Sequence, residues 1–298
     1  MLDPRIWISE SSSFPSLARK VAVVTGASRG IGKGIATVLG EQGASVYVSG
    51  RTTAATPKAT SGTINEVAET ITASGGVGIA VRCDHADDAQ IKALFERVKA
   101  DQGHLDILVN NVTTLGPDPF APPPFWTKSL AISEQFTVGL RSAFVASYYA
   151  APLMIAANKS LLVNISYYGA VSYHLDPAYG ATKAGLDKLT FDMAQDFEPY
   201  GVAVVSVWPG PTATERARFL VSKIPGRDRI LGNSETPRFS GLAIASLYAD
   251  PELMSKSGCV VIAAEAALEY GFTDFNGKQP RSLRKEKGSP HPFFKKKD

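Results

Sequence analysis

The chain has 298 residues, 44% of them hydrophobic and 20% charged, with 31 basic against 28 acidic side chains for a net charge of +3. That much apolar material with so little net charge excludes a disordered protein, and the dispersed basic charge argues against nucleic acid as a partner. Two cysteines, Cys83 and Cys259, make no disulfide framework, so a reducing compartment, the cytoplasm, is expected.

The first 19 residues begin MLDPRIWISESSS and lack a basic segment followed by a long apolar run. They read as a flexible arm and not as a secretory signal. From there short β-branched runs alternate with helical patterns. Strands are predicted at 21–25, 45–49, 78–83, 106–110, 161–166, 202–208 and 259–263. Helices are predicted at 32–42, 63–73, 87–101, 130–156, 178–198 and 236–249. Buried apolar strands separated by helices predict an α/β fold, a single-domain doubly wound parallel sheet (Rossmann fold) of about seven strands with helices on both faces. The domain is expected to span 20–277, with the basic stretch 278–298 as a solvated tail. The Pro-rich piece 116–124, after the fourth strand, is expected to border the site. The longest uncharged stretch, 142–158, contains Pro152 and falls short of the ~20 residues a membrane span needs. It reads as a buried helix, and no membrane span is expected.

Three places carry chemistry. The first strand runs into TGASRGIG, residues 25–32. Gly26, Gly30 and Gly32 between a strand and a helix let the backbone close on a phosphate, and the helix start offers its free N–H groups. Two rival patterns share these residues. Gly26-Ala27-Ser28-Arg29-Gly30 fits the GxSxG nucleophile elbow, yet none of His85, His104, His174 and His291 follows a late strand. Gly32-Lys33 resembles the end of a P-loop, but Ala27 and Gly34 replace residues that loop requires. A dinucleotide site remains.

The second strand ends in Ser49-Gly50-Arg51-Thr52, with no acid to hold a ribose 2′-hydroxyl. Arg51 together with Arg29 predicts a 2′-phosphate partner, hence NADP(H) over NAD. Farther on, Tyr179-Gly-Ala-Thr-Lys183 places a phenol and an ammonium at i and i+4, on one helix face. The ammonium stabilises a phenolate and lowers its pKa, which suits general acid–base work. No Cys/His spacing suits zinc, so no metal is expected.

The order and spacing of TGASRGIG, Cys83-Asp84, NNVT (110–113), Ser166, YGATK (179–183) and WPGPTAT (208–214) resemble the short-chain dehydrogenase/reductase (SDR) superfamily from about Lys20 to Gly277. Within it, SGRTT, VGLRSAF, VSVWPG and LYADPELMSKSGCVVIAA are most similar to the branch named member 1. The resemblance implies an NADP(H)-dependent oxidoreductase that interconverts a small-molecule carbonyl and a secondary alcohol by hydride transfer. Tyr179 would protonate the carbonyl oxygen, Lys183 would lower its pKa and hold the nicotinamide ribose, and Ser166 would orient the carbonyl. Gly26, Ser28, Arg29, Gly30, Ile31, Gly32 and Arg51 would bind the cofactor. Asp84 would contact the adenine, Asn110 would line the groove, and Pro209, Gly210 and Thr214 would hold the nicotinamide end. A homodimer or homotetramer through helices 142–157 and 178–198 is also implied.

There are departures from the family pattern. Val112-Thr113 stand where Ala-Gly is usual, and Gly139 stands where the family often has the asparagine of its proton relay. Measured forward along the fifth strand, the orienting serine's slot holds Tyr167. Measured back from Tyr179, the usual separation selects Ser166, and that anchor is preferred, so Ser166→Ala should impair turnover and Tyr167→Phe should not. The intact Ser/Tyr/Lys set favours an enzyme over a catalytically weak NADP-binding regulatory protein of the same fold.

Overall fold

The computed structural model describes residues 15–54, 62–116, 119, 124–222 and 231–294. Seven strands, β1 (Val21–Val24), β2 (Ser45–Gly50), β3 (Val77–Arg82), β4 (Ile107–Asn110), β5 (Ser160–Ile165), β6 (Val202–Trp208) and β7 (Val260–Ile262), form one parallel sheet in the order β3-β2-β1-β4-β5-β6-β7. The helices are α1 (Gly30–Glu41), α2 (Ile64–Ala73), α3 (Asp88–Gln102), α4 (Ser142–Ile155), α5 (Pro177–Phe197), α6 (Glu215–Val221), α7 (Phe239–Ala249), α8 (Ala263–Tyr270) and the short α9 (Arg284–Lys287).

The apolar runs make this sheet because successive side chains face opposite layers. Ala22, Val24, Val46, Val48, Ile107, Val109, Val163 and Val205 pack with α1, α2, α7 and α8 on one side. Val21, Val23, Tyr47, Leu108, Leu162 and Val204 pack with α3, α4 and α5 on the other. Both layers are buried, which is why these strands read as continuous hydrophobic runs. Chain order reverses between β1 and β4, which pair with Val23 opposite Leu108. Their following loops therefore part, leaving a crevice at the carboxyl ends of the strands, where ligands of such sheets bind.

Two expectations change. The stretch 130–156 is not one regular helix: a 3₁₀ turn at Leu130–Ser133 and a π-helical turn at Phe136–Arg141 precede α4. Gly139 lies in that wide turn, a type often found at functional sites. This combined stretch is long and apolar enough by length and composition to cross a bilayer, yet half of it is buried inside the fold. The basic tail is not simply solvated. Leu283 is 8% exposed and packs with Tyr168, Trp208 and Ile262, while Arg284 binds Glu265 at 2.6 Å. The apolar Leu283 inside a charged run is what brings the segment down. Residues 1–14 of the expected arm lie outside the described residues, and Leu17 already packs in the core at 1% exposure. Of the Pro-rich piece, only Gly116, Pro119 and Pro124 are described.

Candidate active site

The glycine loop sits at the mouth of the crevice. Gly26 and Gly30 have φ of +64° and +61°, a region that side-chain-bearing residues rarely adopt. A Cβ on Gly26 would also lie 2.8 Å from the Val112 Cα. Ser28, Arg29, Gly30, Ile31 and Gly32 form the turn into α1, with Arg29 exposed at the helix N-cap. Asn111 locks the loop: its N–H donates to Thr25 Oγ1 at 2.9 Å, and Nδ2 donates to the Thr25 carbonyl at 2.8 Å. Sequence reasoning had named Asn110 as the groove residue. Asn110 instead points inward at 4% exposure, its Nδ2 donating to Asn164 Oδ1 at 3.0 Å and Ser147 Oγ at 3.1 Å. Strand alternation sends these neighbours opposite ways, one into the sheet and one to the loop.

The other cofactor candidates gather around this loop. Arg51, at the end of β2, reaches Asp84 Oδ2 at 3.8 Å, after the end of β3. The Gly30 N–H donates to Glu215 Oε2 at 2.9 Å, and the Thr214 methyl lies 3.5 Å from where a Gly30 Cβ would stand. Thr214 caps α6 by accepting from the Ala217 N–H at 3.1 Å. Glu215 was not foreseen, since a carboxylate following a threonine carries no pattern of its own. Left-handed glycines, a long helix start and cations at the ends of two loops fit a dinucleotide phosphate chain.

Across the crevice, Asp176 caps α5 by accepting from the Tyr179 N–H at 2.8 Å, with Pro177 in the first turn. One turn later Lys183 is 5% exposed, donates to the Ile165 carbonyl at 2.9 Å and sits 5.5 Å from the Tyr179 ring centroid. Burial brings the Lys183 ammonium down to about 8, against the pull of Asp187. Burial, then Tyr167 and Asp176, push the Tyr179 phenol well above its usual range. The Lys183 ammonium, 5.5 Å from the ring centroid, does not reverse this rise. Tyr179 stays protonated at neutral pH, the form that a general acid requires.

Ser166 turns into the fold. It is 1% exposed, and its Oγ donates to the Lys183 carbonyl at 3.0 Å, on the core side of α5. Tyr167 takes the other direction, its ring centroid 6.4 Å from that of Tyr179 and 5.0 Å from that of His174. The direction of a side chain at a strand end follows the strand register, so these neighbours point opposite ways. Burial, then the charge of Glu235, push the Tyr167 phenol up to about 12, so it remains a donor.

Pro209 and Gly210 close β6, both buried. Behind Gly210 stands Glu235, 2% exposed, with neither oxygen partnered among the described residues. Its Oε1 lies 2.6 Å from where a Gly210 Cβ would be. Burial raises this carboxyl to about 8; the Gly210 amide opposes the shift without making a well-aligned hydrogen bond. Nothing in the sequence marks it, as it falls in no motif. Tyr168 turns away from the site, accepting the Leu283 N–H at its hydroxyl at 2.9 Å.

Residues 20–224 match the family model described as short chain dehydrogenase. The chain is 36% identical over 274 residues to dehydrogenase/reductase SDR family member 1 of Homo sapiens, a match covering 87% of this chain and 84% of that protein. It is 30% identical over 266 residues to cis-4-hydroxycyclohexanecarboxylate dehydrogenase of Sinomonas cyclohexanicum, covering 87% and 98% of the two chains. A solved structure from Xanthomonas campestris assigned as a dehydrogenase superposes with a TM-score of 0.73 at 29% identity, over 88% of this chain and 93% of that one.

Proposed function

The chain belongs to the short-chain dehydrogenase/reductase family, an oxidoreductase with a nicotinamide cofactor, and from that premise we propose that it interconverts a carbonyl and a secondary alcohol with NADP(H). The observation that carries this reading is the pairing of Tyr179 with an enclosed Lys183 ammonium beside the glycine-loop crevice. When bound, the nicotinamide supplies or accepts the hydride. Tyr179 Oη gives its proton to the carbonyl oxygen during reduction. Lys183 stabilises the phenolate left behind, an effect that grows in a low-dielectric surrounding. Tyr167 Oη, in place of Ser166, donates the second hydrogen bond that orients the carbonyl. The similarity to the Sinomonas relative, a dehydrogenase of a cyclic hydroxy acid, supports CH–OH chemistry.

Arg29 and Arg51 support NADP(H), with Asp84 tempering Arg51 through their ion pair. A small-molecule carbonyl or alcohol is the substrate. Exposed Phe136, Phe144 and Tyr148 on and before α4 support self-association as a homodimer or homotetramer, which light scattering would read as a multiple of the monomer mass. Two unpaired cysteines support a reducing compartment such as the cytoplasm.

The test is NADPH oxidation with a panel of ketones, aldehydes and quinones, alongside calorimetric binding of NADPH and NADH. Turnover with at least one carbonyl, and an NADPH preference of about tenfold, ~1.4 kcal/mol, are expected. Arg51→Asp should erase that preference. Tight NADPH binding with no turnover would favour the cofactor-binding regulatory reading, to which Gly139 and the altered NNVT loop lend what support it has.

A further inference from the structure

One turn beyond Lys183 on α5, Asp187 is 4% exposed, so an ammonium and a carboxylate share one helix face and both are enclosed by the fold. Lys183 Nζ donates to the Ile165 carbonyl, at the end of β5, at 2.9 Å. Asp187 is held from the adjacent strand. Ser206 Oγ donates to its Oδ1 at 2.6 Å, and Trp208 Nε1 donates to Oδ1 at 3.1 Å and Oδ2 at 3.2 Å. Ser206 stands opposite Asn164, the residue before Ile165. Neighbouring strands run about 5 Å apart, so the two charges are anchored one strand apart on the same side of the sheet.

The chemistry at Tyr179 leaves Asp187 without a task, and a buried carboxylate is costly unless it is paired and hydrogen-bonded. An indole N–H and a serine hydroxyl donating into its two oxygens suit the ionised form, which only accepts. The Ser166 hydroxyl, which donates to the Lys183 carbonyl, also lies against it.

No other charge competes for Lys183. β5 and β6 present the Ile165 carbonyl, the Ser206 hydroxyl and the Trp208 indole, none of which titrates. The π-helical turn packed on α5 brings Gly139 against Thr182 and Leu140 against Gly185. Asp176, Tyr167 and His174 gather about Tyr179 instead, and Glu235 lies behind Gly210. Among the described residues Asp187 is the anion whose charge opposes the fall that burial imposes on the Lys183 pKa.

We propose that Asp187 is the buried counter-charge that keeps the Lys183 ammonium protonated and so fixes the alkaline limit of the reaction. It acts through Lys183 and is a positioning residue. The alkaline limit rests on Lys183 acting as proposed above.

The test uses the full chain and compares Asp187→Asn, which keeps the shape and removes the charge, with Ser206→Ala, which removes a donor and keeps the charge. Reduction of 9,10-phenanthrenequinone is followed at saturating NADPH from pH 6 to pH 10. Wild-type kcat/KM should fall above about pH 8, as the ammonium is lost. In Asp187→Asn the fall should begin about one pH unit lower, and in Ser206→Ala it should stay in place. Urea unfolding without cofactor gives a second measure. Between its folded and unfolded pKa values Lys183 has released a proton that the unfolded chain still holds, so this group makes stability rise with pH. That rise should open near pH 8 in wild type and in Ser206→Ala, and about one unit lower in Asp187→Asn. An unmoved window in Asp187→Asn, or an equal shift in Ser206→Ala, would overturn the pairing. A wild-type chain that binds NADPH and leaves the probe unreduced would overturn the functional reading and the alkaline limit with it, while the unfolding comparison would still decide the pairing.

Discussion

The two sides of the crevice are built from different materials. The cofactor side uses main chain: left-handed Gly26 and Gly30, helix-start N–H groups, and carbonyls of Thr25 and Gly26 held by Asn111. The proposed substrate side uses side chains: Tyr167, His174, Tyr179 and Lys183, with Glu235 behind them. Main-chain sites tolerate few alternatives and leave glycines at fixed spacing. Side-chain sites can shift a function by one residue, as we propose for Ser166 and Tyr167.

The sharpest way to break that contrast is at this exchange. Tyr167→Phe should lower turnover ~10²–10³-fold, or ~2.7–4 kcal/mol, as for loss of one donor to a developing oxyanion. Ser166→Ala should keep turnover and lose about 0.5–1.5 kcal/mol of stability, the worth of one internal hydrogen bond. Steady-state kinetics on both variants decide it; the opposite ranking would restore Ser166 as the orienting group.

On the cofactor side, Gly26→Ala meets both a positive φ and the Val112 backbone at 2.8 Å. A loss of about 1–3 kcal/mol is expected, seen as a lower urea midpoint, with weaker NADPH binding. A variant as stable as wild type would show that the loop is less constrained than its geometry implies.

Glu235 gives a pH signature to the substrate side. Its carboxyl is raised from 4.5 to about 8 in the fold. Between those values the unfolded chain has released the proton and the folded chain still holds it. Stability therefore falls as pH rises through that window, by up to about 1.4 kcal/mol per unit from this group. Glu235→Gln should flatten the decline, measured by urea unfolding from pH 5 to pH 8. Equal slopes in variant and wild type would contradict a proton held at Glu235. Smallest of all, Tyr168→Phe strips the Leu283 N–H of its acceptor and should cost about 1 kcal/mol, read as a small drop in melting temperature.

The sheet was legible because its strands carry unbroken apolar runs, and the glycine loop because only glycine satisfies its backbone. That Tyr179 and Lys183 share a face of α5 was legible from helical spacing. Asn110 and Asn111 could not be told apart without knowing the register of β4, since the pattern alone allows either to point to the groove. Glu215 and Glu235 left no trace because they act across the fold on residues far away in sequence. Leu283 is one apolar residue in a charged run, too little signal to outweigh its neighbours, yet enough to dock the tail.

That docking has a consequence for how the molecule is made. Tyr168 receives the Leu283 N–H across 115 positions of chain, and Tyr167, next to it, faces the site. A growing chain can pair β1–β4 early in its synthesis, since domains assemble from the N-terminal side. The glycine loop must wait for Glu215, which takes the Gly30 N–H, and the wall beside Tyr167 must wait until residue 283 has emerged from the ribosome. A nascent chain is thus able to pair the first strands of its sheet well before it can finish either side of the crevice.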